Sequence, residues 1–184
     1  MGSTGINDVV VRGAKKRADS AHAGAKRDNG KPYATHPHAV ACILRERGHD
    51  KPSVLAAAYL HDVLEDTDTP RNELVEEFGE EIVGLVDQLT NIGPADRPFE
   101  QKQAALLEHA RRMSPDAKLV KLADRLHNLS EIHIWPGWKQ ERYAKAAMEL
   151  LEALHPVPDE RLAEDVRQMA NSFLSSSSKD SSQH

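Results

Sequence analysis

Leu55-Ala56-Ala57-Ala58-Tyr59-Leu60-His61-Asp62-Val63-Leu64-Glu65-Asp66-Thr67 passes from an unbroken apolar run to four ionisable residues. Ala and Leu dominate and neither Gly nor Pro intervenes. The segment therefore predicts one helix, capped by Asp50 and carried through Val54, Leu55, Ala58, His61 and Glu65. Residues four apart share a helix face, which sets His61 above Glu65 and Asp62 above Asp66. Carboxylates beside such an apolar run are unfavourable unless a cation or hydrogen bonds compensate. A metal ion answers that need. Imidazole nitrogen with carboxylate oxygen suits Mn²⁺, Fe²⁺, Zn²⁺ or related ions.

Working outward, the chain reads as a series of helices with short punctuation. Residues 7–27 are Ala-rich and amphipathic and end in the turn Asp28-Asn29-Gly30-Lys31-Pro32. Thr35 before His36-Pro37 opens a helix stopped by Gly48, with Val40, Ile43 and Leu44 turned to the core. Thr69-Pro70 opens another through Leu74, Phe78, Ile82, Leu85, Val86 and Leu89. Residues 91–98 read as a loop and 100–112 as a helix. Ser114-Pro115 starts a helix seamed by Leu119, Leu122, Leu126 and Leu129, and two last helices span 137–154 and 158–174. The expected architecture is an all-α bundle, a single domain over residues 1–174, with a Ser-rich tail at 175–184 too polar to pack and so disordered.

Composition agrees with the all-α reading. The 184 residues are 39% hydrophobic but 4% aromatic and 29% charged, which favours helices packed through small aliphatic side chains. No apolar run reaches the roughly 20 residues a bilayer requires, and no leader pattern opens the chain, so a cytoplasmic protein is expected. Cys42, the one cysteine, sits beside Ala41 and Ile43 and is expected to be a buried core thiol. The net charge of −5 offers nothing to nucleic acid. An anionic ligand would need a local basic patch or a metal.

Two further ligands are sought for the His61-Asp62 pair. His36 lies at a helix entrance, and Asp124 is a polar intrusion beside Leu122 and Ala123. Lys121 and Asn128, three before and four after Asp124, share its face, which is read as a substrate-facing strip. The other histidines, His38, His49, His109, His127, His133 and His155, are assigned solvent or local structural roles.

At these residues the chain resembles the RelA/SpoT-homologue hydrolases, specifically the small stand-alone alarmone hydrolases of the HD superfamily. The resemblance runs through Ala21-His22-Ala23-Gly24, residues 27–33, His36-Pro37, His61 to Thr67, Phe78-Gly79 and residues 118–129. It implies an HD-domain helical bundle that removes the 3′-pyrophosphate of guanosine tetra- or pentaphosphate, with Mn²⁺ as cofactor and other divalent transition metals as substitutes. By position, His36, His61, Asp62 and Asp124 match the family's metal ligands. Glu65 and Asp66 match the acidic pair that handles the attacking water. Arg27 matches the basic residue on the guanine base, Asn128 a nucleotide contact and Arg142 a phosphate-side contact, with Lys26 or Lys31 standing in for a second base-side cation.

The chain departs from the family pattern at three places: Ser130 and Asn91 stand where cations are common, and Asp28 follows Arg27. These departures keep two alternatives open, an HD-type phosphatase acting on another nucleotide such as NADPH, and a non-catalytic nucleotide-binding module. The expected partner is a small nucleotide, not nucleic acid or membrane. The segment Trp135-Pro136-Gly137-Trp138 could form a homodimer contact or close the site.

Overall fold

Helix α7 (Pro115–Glu131) is the hub of the bundle. Ser114 caps it by accepting from the Ala117 amide, and Pro115 opens it. Residues 117–126 are all buried, Leu119, Leu122 and Leu126 among them, as is Leu129, because neighbours surround this helix on several sides. A computed structural model describes residues 3–91 and 96–180, with side chains over 9–91 and 96–175. Among these residues α2 (Thr35–Glu46), α3 (Pro52–Leu60), α5 (Arg71–Leu89), α8 (Gly137–Leu154) and α9 (Glu160–Asp180) all pack on α7. Helix α1 (Ser3–Ala21) covers α3, and α6 (Phe99–Ala110) packs on α8. The fold is all-helical, with one isolated bridge, Lys26 to Pro32, and no strand among the described residues.

Leu44, Leu60, Leu122, Leu129 and Leu150 are among the largest fully buried side chains. Truncating any one to Ala costs about 2–5 kcal/mol. No described helix is long and apolar enough to cross a membrane.

Several local expectations are corrected. The Leu55 to Thr67 stretch is not one helix: α3 ends at Leu60 and a separate turn, α4 (Val63–Asp66), follows. Asp50 caps nothing; Lys51 is the N-cap residue, in an extended conformation, and Pro52 presets the first helical φ. Thr35 is inside α2 with Ala34 as N-cap, and its hydroxyl donates to the Pro32 carbonyl. Cys42 is exposed, because Ala41 and Leu44 take the inward positions of α2. Gly79 breaks α5 with φ +79°, a conformation that favours a residue lacking Cβ. Helix α9 begins one residue after its cap Asp159, whose Oδ1 accepts from the Arg161 and Leu162 amides. It continues through residues 175–180, where composition favours an unstructured tail; residues 181–184 and 92–95 lie outside the described residues.

Candidate active site

Three segments far apart in sequence meet at the hub. His36 stands in the first turn of α2, His61 and Asp62 lie in the break between α3 and α4, and Asp124 is midway along α7. His36 Nε2 is 3.1 Å from His61 Nε2, 3.2 Å from Asp124 Oδ1 and 3.6 Å from Asp62 Oδ2. His61 Nε2 is 3.2 Å from Asp62 Oδ2 and 3.9 Å from Asp124 Oδ1. Ligands of an ion with bonds of about 2.1 Å lie about 3.0–3.5 Å apart, close to the spacing among His36, His61 and Asp124, while Asp62 stands beside the two histidines but outside that group of three. His36, His61 and Asp124 are buried and can hold a metal ion.

The surrounding hydrogen bonds aim these atoms. His61 Nδ1 lies 2.8 Å from the Ala58 carbonyl, to which it can only donate, so the neutral ring presents the Nε2 lone pair inward. His36 Nδ1 is 2.8 Å from His127 Nδ1. Burial and the neighbouring His36 depress His127 to about 4, so its neutral ring can accept from His36 and leave His36 Nε2 as a ligand atom. Asp124 is braced twice, by Lys121 Nζ on Oδ2 at 3.0 Å and Asn128 Nδ2 on Oδ1 at 2.6 Å. Burial would raise Asp124, but Lys121 and the two histidines hold it well below the carboxylate range. Burial would likewise lower His61, yet Asp62 and Asp124 push it up to about 9. The wall thus attracts positive charge, whether a proton or a divalent cation.

The acidic pair divides at the helix break. Asp66 stays stacked on Asp62: its amide donates to the Asp62 carbonyl at 2.9 Å, and the Tyr33 hydroxyl touches both carboxylates, Asp62 Oδ2 at 2.7 Å and Asp66 Oδ2 at 2.5 Å. Burial and these carboxylates raise Tyr33 far above its ordinary value, so it remains a donor. Glu65 turns elsewhere, accepting from the backbone and side-chain amides of Asn91 at 2.9–3.0 Å. It does not stack with His61 as a continuous helix would require. Asn91, one of the departures noted in the sequence, holds Glu65 through hydrogen bonds and carries no charge.

The base-side residues form a second group. The turn at Gly30 (φ +81°) returns the chain so that the Arg27 amide meets the Lys31 carbonyl. Arg27 is then fixed by Glu131 Oε2 at 3.0 and 2.7 Å and by Asn128 Oδ1 at 2.7 Å, while Asn29 donates to Glu131 Oε1. Burial would raise Glu131, but Arg27 brings it below its usual value. Arg27, Lys26, Tyr33, Asn128, Glu131 and Trp135 line a pocket of 160 Å³. Asn128 joins this pocket to Asp124. Lys121 is committed to Asp124 and buried, so the strip it begins serves the metal wall at that end. Arg142 is exposed, its guanidinium 4.4 Å from the Phe99 ring and 5.1 Å from Trp138.

Sequence reasoning missed Tyr33, His127 and Glu131. His127 and Glu131 follow Asp124 by three and seven, the helical spacing that had already singled out Asn128. Nothing local marks the long-range role of Tyr33. His22, buried and stacked 4.4 Å from Tyr33, has an Nε2 without a partner. Of the remaining histidines, His38 meets Asp19, His49 meets Asp159 and His109 meets the Gln88 carbonyl, structural contacts that reach across the sequence rather than local ones.

The HD domain family profile matches residues 14–156, which includes the whole wall. The chain belongs to the HD domain family. Within it the chain is 41% identical over 154 residues to a probable GTP pyrophosphokinase of Mycobacterium leprae, and 38% identical over 145 residues to a guanosine-3′,5′-bis(diphosphate) 3′-pyrophosphohydrolase of Aquifex aeolicus. These matches cover 80% and 78% of the chain but only 19% and 21% of those proteins, so the chain spans about a fifth of their length. A solved structure, a metazoan ortholog of SpoT described as hydrolysing ppGpp, superposes with a TM-score of 0.77 at 26% identity, covering 91% of this chain and 94% of that one.

Proposed function

We propose that this HD domain hydrolyses guanosine tetra- or pentaphosphate at the 3′ position, giving GDP or GTP and pyrophosphate, with Mn²⁺ held by His36, His61, Asp62 and Asp124. The observation that carries this reading is the Tyr33 hydroxyl bridging Asp62 and Asp66, which joins an acid able to take a proton to the metal wall. Similarity to proteins named for this reaction supports the choice of substrate. A divalent ion bound there supplies Lewis-acid activation of water and screens the phosphoryl charge.

The chain's own residues do the rest. Asp66, with Oδ1 free of protein partners among the described residues, accepts a proton from the attacking water, while Asn91 holds Glu65 to orient that water. The water oxygen bonds to phosphorus, the phosphorus–O3′ bond breaks, and the 3′ oxygen takes up a proton as pyrophosphate leaves. Arg27, fixed by Glu131 and Asn128, offers its planar face and its remaining donors to the purine. Lys26 and Arg142 supply further cations for the phosphates. The site is read as part of a cytoplasmic enzyme acting on a small nucleotide.

The test is product analysis with guanosine tetraphosphate, after chelation and again after Mn²⁺ is restored. GDP and intact pyrophosphate in equal amounts, only with metal, are expected. Untouched guanosine tetraphosphate beside dephosphorylation of another nucleotide such as NADPH would replace this substrate. No turnover of any nucleotide despite tight binding would replace the enzyme by a binding module.

A further inference from the structure

Arg125 follows the metal ligand Asp124 and is buried, with 6% of its surface exposed. Among the described residues no carboxylate lies within ion-pair distance of its guanidinium, and its Nε is sealed from solvent without a hydrogen-bond partner. Asp124 is not available to it, being engaged by Lys121, Asn128 and the histidines. The Tyr143 ring, 4.5 Å from Cζ, offers a cation–π contact but no opposite charge. A buried cation without a counter-charge is strongly unfavourable, and a bound anion removes that imbalance.

Arg125 lines an 880 Å³ cavity that shares no residue with the Arg27 pocket. Glu65 and Asp66 lie on its wall, with Arg97 and Arg112 also lining it. The wall's other carboxylate, Glu108, is answered by Arg112 at 3.3 Å. We infer that this cavity is the subsite for the pyrophosphate group, with Arg125 as its buried counter-charge. The inference rests on the hydrolase reading: a phosphorus atom beside the acidic pair, on a nucleotide whose base lies against Arg27, extends its distal phosphate toward Arg125. The two anionic ends of the substrate are thus read by different cations. Arg27 serves the nucleoside side, and Arg125 serves the pyrophosphate that is transferred to water.

Calorimetric titration of the metal-loaded protein with inorganic pyrophosphate and, separately, with GDP tests this directly. Arg125→Met, which keeps most of the buried volume, is expected to weaken pyrophosphate about tenfold or more while GDP stays within about twofold. Arg125→Lys keeps the charge but loses the forked donors, so it should show a smaller, still pyrophosphate-selective loss. That variant carries the test if Arg125→Met does not fold. Arg27→Ala should show the reverse selectivity. Equal losses for both ligands, unchanged pyrophosphate affinity, or a wild-type protein that binds no pyrophosphate overturns the subsite. A wild-type protein that leaves guanosine tetraphosphate intact yet shows this selective affinity overturns the hydrolase reading and keeps the subsite.

Discussion

His36, His61 and Asp124 are enclosed by packed helices, and hydrogen bonds from Lys121, Asn128 and the His127 contact fix most of their polar atoms. Arg27, Asn29 and Glu131 stand instead at the edge of the bundle, where a turn and the end of α7 meet and hold one another by ion pair and hydrogen bond. The first region has almost no freedom to move or change composition. The second is adjustable, and there the chain carries Asp28 and Ser130, two of its departures from the family it resembles. On the proposed function, metal binding is tied to the fold, while substrate choice sits on a surface that can vary without disturbing it.

The contrast breaks most sharply at Asp124. Asp124→Ala removes a ligand and strands the buried Lys121 ammonium, so activity should fall at least about a thousandfold and stability by about 3–5 kcal/mol in urea unfolding. Losing activity with undiminished stability would show that Lys121 finds another partner. Next are the exposed acids. Asp66→Ala and Glu65→Ala should each lower kcat by about 10²–10⁴-fold while shifting stability by less than about 1 kcal/mol. Full turnover in either variant would remove that residue from the water-handling role.

A smaller effect is expected on the adjustable side. Glu131→Ala frees Arg27 and should raise KM about tenfold with kcat nearly unchanged, and in an Arg27→Ala background it should add little. Additive losses would mean that Glu131 acts apart from Arg27.

Remote from both regions, Asp159 caps α9, and Asp159→Ala should cost about 1 kcal/mol without touching activity. Burial tends to raise Asp159, but the Leu162 amide and His49 bring it below its ordinary value. Its contribution is therefore complete above the unfolded carboxylate value of about 4 and is lost as pH falls through the folded one. Asp159→Asn should flatten that acid-side slope in thermal melts.

The sequence made the wall legible because its signals are local and of distinct kinds: a His-Asp pair at the end of an apolar run, a histidine before proline, and an aspartate interrupting a leucine seam. The Leu119 to Leu129 seam and the Gly137–Leu154 helix follow from period and punctuation alone. What escaped depends on tertiary placement. The α3 to α4 break has no Gly or Pro to announce it, and it separates Glu65 from His61 while leaving Asp66 on Asp62. Tyr33 reaches those acids only because the Asn29-Gly30 turn brings the chain back to them. From the sequence Arg125 is either a charge partner for a phosphoryl group or a solvated ion-pair residue, and only the packing of α7 shows it buried, with no carboxylate in ion-pair distance among the described residues.

The proposed hydrolysis requires His36, His61, Asp62 and Asp124 to converge on one divalent ion. Equilibrium binding of Mn²⁺ followed by electron paramagnetic resonance measures it directly. One ion per chain is expected in the wild type, with binding lost in His36→Ala and Asp124→Asn and retained in Glu65→Ala. Wild-type protein that binds no ion, or a His36→Ala protein that still binds one with unchanged affinity, would contradict the account.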